Sequence, residues 1–514
     1  MSDNCSESSI KRQKINLGKN DIVESSIQQH VSYEDSGIKL TTTKSLPDSE
    51  NVESVSLSSI LYSEDLIEMV QFNYMFELEF LMSNLPKSKQ KTIPTTIVHG
   101  LSEESERYLK SEANLFKNVK LISPRLPIPY GTHHTKVKDI AMLLFYANFT
   151  MRMVIHTANA IRRDWADKTQ GVYMTPFLPK KRENASCSEF ELDLIEYLDS
   201  YGDKLKHIRN KVKEYDFSTV KAKLIASVPG YHVNERMERF GHMRLRNVLR
   251  HVTIPLSCKL ESTVICQFSS VGSLGKDESW LINEFADSLN HAKNQNQCSD
   301  PEIKLIYPTV ENVRDSLEGW AAGRALPFSH ENYLKQKVYM QKYLNKWKAI
   351  EAGRDRAMPH IKTYSRMKIL SNLSTNNSDS NADIAWFLLT SSNLSKAAWG
   401  TLQKKGKQLM IRSYELGVLI FPELFHKVEF TSVHLINSIP RNLKPTLPSC
   451  NTTSSNSTLS KKRNRLEEGG TLIIPIRLPY DLPLTPYNFQ GGDECWTWNI
   501  PRTETDWLGN IYRP

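Results

Sequence analysis

Two kinds of apolar pattern take turns along the chain. Short, dense runs rich in β-branched and aromatic residues are bounded by small and polar residues, and they predict strands: TTIVHG (95–100), MRMVIHT (151–157), STVICQFSS (262–270), IAWFLLTSS (384–392) and KQLMIRSYELGVLIF (407–421). Between them, stretches such as DESWLINEFADSLNHA (277–292) set their apolar residues at helical spacing. Alternation of this kind predicts α/β layers around a largely parallel sheet.

The pattern also repeats itself. MVIHTANAIRRDW (153–165) and FLLTSSNLSKAAW (387–399) share one layout: an apolar strand, small residues, an Asn, and a Trp six positions on, Asn159 to Trp165 and Asn393 to Trp399. Each copy follows a His-x-Lys, His134 and Lys136 in GTHHTK (131–136), His360 and Lys362 in MPHIKTY (358–364). Two copies of one unit predict two similar α/β/α sandwich domains related by a pseudo-two-fold axis. The predicted domains are 66–230 and 231–514. Residues 1–60 hold 14 Ser, no Trp, no Phe and a single aromatic, Tyr33, so 1–65 is expected to be a disordered tail. NLKPTLPSCNTTSSNSTLSKKRNRLEEGG (442–470) reads as a mobile surface insertion.

On a strand, residues i and i+2 project from one face, so His134 points with Lys136 and His360 with Lys362. If the two strand ends meet, one cleft gathers two imidazoles, two ammonium groups and the carboxamides of Asn159 and Asn393, and no carboxylate is common to the two copies. Such a lining suits phosphate oxygens, where phosphoryl transfer concentrates negative charge. One imidazole can attack phosphorus while the other protonates the leaving group and then deprotonates a water. The lysines supply the positive charge, so no metal and no cofactor is expected. A zinc site fits less well, because a cation sits beside each candidate ligand and His133 diverges from His134 on a strand. A lone His-x-Lys arises often by chance, and Asn is commonly a cap or turn residue. The recurrence of all the parts in one order carries the phosphoryl-transfer reading.

Composition refines this picture modestly. Among 514 residues, 66 Lys+Arg against 57 Asp+Glu leave a net charge of +9, a mild bias towards polyanionic partners. Seven cysteines with no C-x-x-C pair are expected to be reduced thiols. The start lacks the apolar run of a signal peptide, and IAMLLFYANF (140–149) falls short of the ~18 residues of a membrane span, so a soluble intracellular protein is expected. Lys11-Arg12-Gln13-Lys14 can form part of a nuclear import signal, which makes the nucleus the expected location.

The paired His-x-Lys motifs with a downstream Asn resemble the phospholipase D superfamily. In order, GTHHTK, MVIHTANAIRRDWADKTQG, QFSSVGSLG, IYPTVENVRDSLEGW, MPHIKTY, LLTSSNLSKAAWG, QLMIRSYELGVLIFP and WTWNIP resemble the tyrosyl-DNA phosphodiesterase family, from about residue 66 to the C-terminus. Neither lysine is followed by an Asp at the place of the wider pattern H-x-K-x-x-x-x-D, since Ile140 and Ala141 stand there in the first copy and Arg366 and Met367 in the second, which argues against lipid hydrolysis. VKDIAMLLFY is also longer than the family pattern by several residues.

The resemblance implies hydrolysis of the bond between a topoisomerase tyrosine and a DNA 3′ phosphate. It makes His134 the nucleophile and His360 the general acid and then base; Lys136, Lys362, Asn159 and Asn393 hold the phosphate. Gln170 and Glu415 match supporting positions, and Glu415 could fix an imidazole tautomer. Tyr130 could stack on a base. Ser270, Ser273 and Ser395 would touch DNA, and Trp498 would line the peptide side. The implied partners are DNA, single-stranded or as nicked or 3′-blocked duplex ends, and a topoisomerase-derived tyrosyl peptide as leaving group. A monomer without membrane contact is expected, with substrate breadth left open to other 3′ and 5′ blocked ends.

Overall fold

Short apolar runs separated by turns close into two mixed sheets, described by a computed structural model for residues 31–101, 103–124, 128, 141–370, 382–437 and 470–514. The eight-stranded sheet runs Ile38–Leu40, Gly171–Met174, Thr150–His156, Ala141–Tyr146, Leu66–Asn73, Thr95–His99, Val119–Ile122, and Leu178–Pro179 pairs with Thr150–His156. The ten-stranded sheet runs Val31–Tyr33, Gly470–Ile476, Phe430–Asn437, Ala382–Thr390, Thr363–Ile369, Thr263–Gln267, Glu302–Ile306, Leu344–Asn345. On its flank, Glu415–Ile420 joins Ala382–Thr390 to Lys223–Ser227.

The predicted duplication is visible in the topology. Thr150–His156, Ala141–Tyr146, Leu66–Asn73, Thr95–His99 and Val119–Ile122 follow one another as two antiparallel and then two parallel pairings. Ala382–Thr390, Thr363–Ile369, Thr263–Gln267, Glu302–Ile306 and Leu344–Asn345 repeat that series. In both copies a His-x-Lys precedes the second strand of the series, and the Asn follows the first. The likeness therefore reaches from motif to sheet order.

Period-two patterning places the layers. In the first sheet Val70, Phe72, Leu143, Phe145, Met153 and Ile155 face a core continuous with the second sheet. Their neighbours Met69, Met142, Leu144 and Val154 face a separate core under helices Leu57–Leu61 and Leu78–Ser83. No helix among the described residues is long and apolar enough to cross a membrane.

Three expectations are corrected. The sheets are mixed, not largely parallel, because neighbouring runs such as Ala141–Tyr146 and Thr150–His156 are joined by a tight turn with Phe149 at φ 60°, which forces an antiparallel hairpin. The run at 407–421 is two strands: Gln408–Ile411 joins a separate three-stranded sheet, and Glu415–Ile420 joins the large one. Domain limits also shift. Lys223–Ser227 belongs to the second sheet, so the crossover lies in the helices Glu189–Asp199 and Lys206–Val212, ahead of the predicted break at 230/231.

The expected tail is ordered in its described part. Val31–Tyr33 pairs with Gly470–Ile476 in the second sheet, and Ile38–Leu40 pairs with Gly171–Met174 in the first. The segment between them and residue 65 is fastened by two buried arginines. Arg354 donates to the carbonyls of Thr41 and Glu50, and Arg477 to those of Glu50 and Val52. Poor in apolar residues, this strap draws its burial from the two sheets it crosses. Residues 1–30 and 438–469 lie outside the described set; these hold the predicted basic cluster and nearly all of the predicted insertion.

Candidate active site

Asn159 leaves the end of the strand Thr150–His156 and enters a short turn before the helix Arg162–Ala166. That helix places Asp164 back under the turn, where Oδ2 accepts from the backbone N of Asn159 at 2.8 Å and from its Nδ2 at 2.6 Å. Trp165 closes the turn by donating from Nε1 to the Asn159 carbonyl at 3.0 Å. Asn393, its counterpart, is held differently: its Oδ1 accepts from the backbone N of Ser269 at 3.1 Å and from Ser269 Oγ at 3.2 Å. In that orientation the Asn393 Nδ2 is turned away from Ser269 as a donor.

His360 and Lys362 lead into Thr363–Ile369, and the first half of the chain fixes them there. The Thr169 carbonyl accepts from the backbone N of both His360 and Ile361, each at 2.9 Å, while Thr169 Oγ1 donates to Ala357 O at 2.7 Å. Next along, Gly171 allows the close approach: a Cβ there would lie 2.6 Å from Leu389 Cδ1 and 2.7 Å from Ile361 Cδ1. The imidazole of His360 is 1% exposed, with Nδ1 at 3.1 Å from Gln170 Nε2, 3.2 Å from Gln170 Oε1 and 3.4 Å from Asp164 Oδ2. Thr157 Oγ1 donates to Gln170 Oε1 at 2.8 Å and itself accepts from Gly171 N at 2.9 Å. The Lys362 ammonium is buried and donates to the His360 carbonyl.

Glu415, also buried, opens the strand Glu415–Ile420 and accepts from Ser391 Oγ at 2.5 Å. Ser391 in turn accepts from Leu416 N at 3.0 Å, which fixes the carboxylate against the sheet. Charge around the site is balanced on the first-half side by Lys168. Its Nζ lies 2.8 Å from Glu318 Oε2 and 3.8 Å from Asp164 Oδ1, and Arg163 reaches the same Glu318. Among the described residues no group of three or more His, Cys, Asp or Glu is arranged to hold a metal ion.

The structure thus gathers His360, Lys362, Asn159 and Gln170 at one seam between the two halves. Tyr130, His134 and Lys136 lie outside the described residues. Of the expected DNA contacts, Ser270 donates its hydroxyl to Pro327 O at 2.6 Å, leaving its backbone rather than its side chain to donate to a phosphate. Ser273 is exposed on the loop after Val271. Ser395 caps the helix Lys396–Trp399 by accepting from Ala398 N at 3.1 Å. Trp498 is 39% exposed, and its N donates to Phe328 O at 3.1 Å, beside the Pro327 that holds Ser270. Asp164, Thr157, Ser269 and Ser391 were missed. The one available signal was a mismatch between the repeats, since Asp164 stands where the second copy has Ala398.

A duplicated α/β unit that brings imidazole, ammonium and carboxamide donors to its seam has the lining of a phosphate-handling enzyme. Comparison with known proteins narrows this. Residues 37–488 match the family model "Tyrosyl-DNA phosphodiesterase". Tyrosyl-DNA phosphodiesterase 1 of Arabidopsis thaliana is 37% identical over 496 residues, covering 93% of this chain and 76% of the relative. A probable tyrosyl-DNA phosphodiesterase of Schizosaccharomyces pombe is 31% identical over 558 residues, covering 93% and 96%. The crystal structure of the yeast tyrosyl-DNA phosphodiesterase shares the fold with a TM-score of 0.60 at 22% identity, over 90% of this chain and 99% of that one. The chain belongs to the tyrosyl-DNA phosphodiesterase family.

Proposed function

We propose that this protein hydrolyses the phosphodiester between a topoisomerase tyrosine and a DNA 3′ end through a covalent phosphohistidine. The observation that carries the proposal is the setting of His360. An imidazole from the second half is oriented by Gln170 and Asp164 of the first, next to the Asn159 amide. That is the position of a proton donor held ready for a leaving group, with buried donors around it.

In the first step a nitrogen of His134 forms a bond to phosphorus as the phosphorus–tyrosyl oxygen bond breaks, and His360 passes its proton to the departing phenolate. A phenol of pKa about 10 leaves with modest help. In the second step His360 takes a proton from water, the water oxygen bonds to phosphorus, and the phosphorus–nitrogen bond breaks to release a 3′ phosphate. Lys136, Lys362, Asn159 and Asn393 donate to the non-bridging oxygens. Gln170 serves Nδ1 of His360, so Glu415 is assigned to the other imidazole, His134. Tyr130, Ser273 and Ser395 are assigned to the DNA side and Trp498 to the peptide side. Action as a monomer in the nucleus belongs to the same proposal.

The test is to mix the full chain with a 3′-phosphotyrosyl oligonucleotide, quench in acid and map the modified residue. A DNA adduct on His134 is expected; turnover with no adduct, or an adduct elsewhere, overturns the reading.

A further inference from the structure

Two side chains, Gln170 and Asp164, decide where His360 carries its proton. Gln170 is ambivalent: its amide is oriented by Thr157 Oγ1 on the oxygen, at 2.8 Å, and by the Asp164 carbonyl on the nitrogen, at 3.3 Å. Both ends of that amide then lie at hydrogen-bond distance from Nδ1, 3.2 Å for Oε1 and 3.1 Å for Nε2, so Gln170 tolerates Nδ1 with or without hydrogen. Asp164 does not tolerate both. Its Oδ2, 3.4 Å from Nδ1, can only accept, and a bare Nδ1 would set lone pair against lone pair. The same oxygen is anchored by two donors from Asn159, so it cannot swing aside without releasing that amide.

We propose that Asp164 is a positioning residue for the reaction: its carboxylate holds hydrogen on Nδ1 of His360 and leaves Nε2 as the nitrogen that exchanges a proton with the substrate. The use made of that proton rests on the function proposed above; the placement of the hydrogen does not. Through one oxygen Asp164 also registers the Asn159 amide against the imidazole, so donor and acid move together.

Other charged groups face His360 from each side. Lys168 and Arg163 lie on the first-half side and are paired with Glu318 of the segment after Val310–Arg314. Lys362 follows His360 in the segment that leads into Thr363–Ile369 and donates to its carbonyl, and Glu415 begins the strand on the far side of Ala382–Thr390, held by Ser391. On the proposed reading His134 and Lys136 come from the opposite half. Of these, Asp164 is the carboxylate within 4 Å of Nδ1, at 3.4 Å. Its removal takes away a close opposite charge that favours the protonated imidazole.

Full-length protein labelled with ¹⁵N-histidine tests the placement directly, with the His360 signals assigned by their loss in His360→Gln. Expected is an Nδ1–H neutral form in which Nε2 titrates; an Nε2–H form in the wild type overturns the proposal. In Asp164→Asn, single-turnover adduct formation should lose its alkaline limb about one unit lower in pH. A folded Asp164→Asn with an unmoved limb also overturns it. If that variant does not fold, the wild-type tautomer alone decides. Failure of the wild type to cleave tyrosyl-DNA refutes the proposed function and leaves the tautomer result standing on its own.

Discussion

His156 ends the strand that delivers Asn159, and burial makes it an acid-sensitive point of the fold. Its ring packs against Trp165 with centroids 5.4 Å apart, and neither nitrogen meets a well-aligned hydrogen-bond partner among the described residues. Desolvation lowers its pKa to about 3, and the opposing pull of the Ala158 backbone is the weaker effect. The unfolded chain takes up this proton near the ordinary value of about 6.5, so between the two values the unfolded state binds more protons. Stability therefore falls as pH falls. From about pH 8 to about pH 5 the loss is about 2 kcal/mol, rising to about 4–5 kcal/mol near pH 3. His156→Leu removes the titration while keeping an apolar body against Trp165. Urea melts followed by Trp fluorescence at the two higher pH values should show the wild type losing about 2 kcal/mol more than the variant. A parallel decline of both proteins would refute the reasoning, since it would mean the imidazole is charged in the fold or was never desolvated.

Further outcomes can be measured on the same protein. Cleavage of a 3′-phosphotyrosyl oligonucleotide should survive EDTA; loss that a divalent ion restores would contradict the lysine-based scheme. His360→Ala should slow release of the covalent adduct more than its formation, by about 10²–10⁴-fold for release, and equal losses in both steps would remove the acid–base role. Gly171→Ala forces a methyl against Leu389 and Ile361, so about 1–3 kcal/mol of destabilisation and reduced turnover are expected in urea melts and steady-state assays. Arg354→Met strands the carbonyl of Thr41 and leaves that of Glu50 to Arg477 alone, and limited proteolysis should then cut the strap between residues 41 and 65 at lower protease concentration than in the wild type.

The repeated strand–Asn–Trp unit was legible because its parts are local: the strand pattern, the turn residues and the Trp that closes the turn lie within thirteen positions. Strand direction was not, since a dense apolar run looks the same whether its neighbour pairs parallel or antiparallel. Composition misjudged residues 31–65 because it weighs a segment alone, whereas Ile38 and Leu40 are buried by a host sheet and the strap carbonyls by Arg354 and Arg477. Asp164 escaped for the opposite reason. A search for what the two copies share discards the position where Asp164 faces Ala398, yet that difference is what brings a carboxylate to His360. Residues such as Thr157 and Ser391 act through a side chain distant in sequence, so no spacing rule points to them.

The asymmetry has a consequence for how the site is assembled. His360 comes from the second half, yet Gln170 and Asp164 beside its Nδ1 and the Thr169 carbonyl that accepts its backbone N–H come from the first. Glu415 stays with the second half, tied to Ser391, and on the proposed reading serves the first-half imidazole. The first half thus orients the second half's histidine, and a separated second half would hold His360 without these partners. Gene duplication alone would give two self-sufficient half-sites. An orienting group supplied across the seam instead makes docking of the halves a condition for chemistry, and the shared core, the close approach at Gly171 and the strap across both sheets hold them together. Mutations along that seam should therefore reduce turnover before they unfold either sheet, because loosening by about 1 Å misplaces His360 while leaving both cores packed.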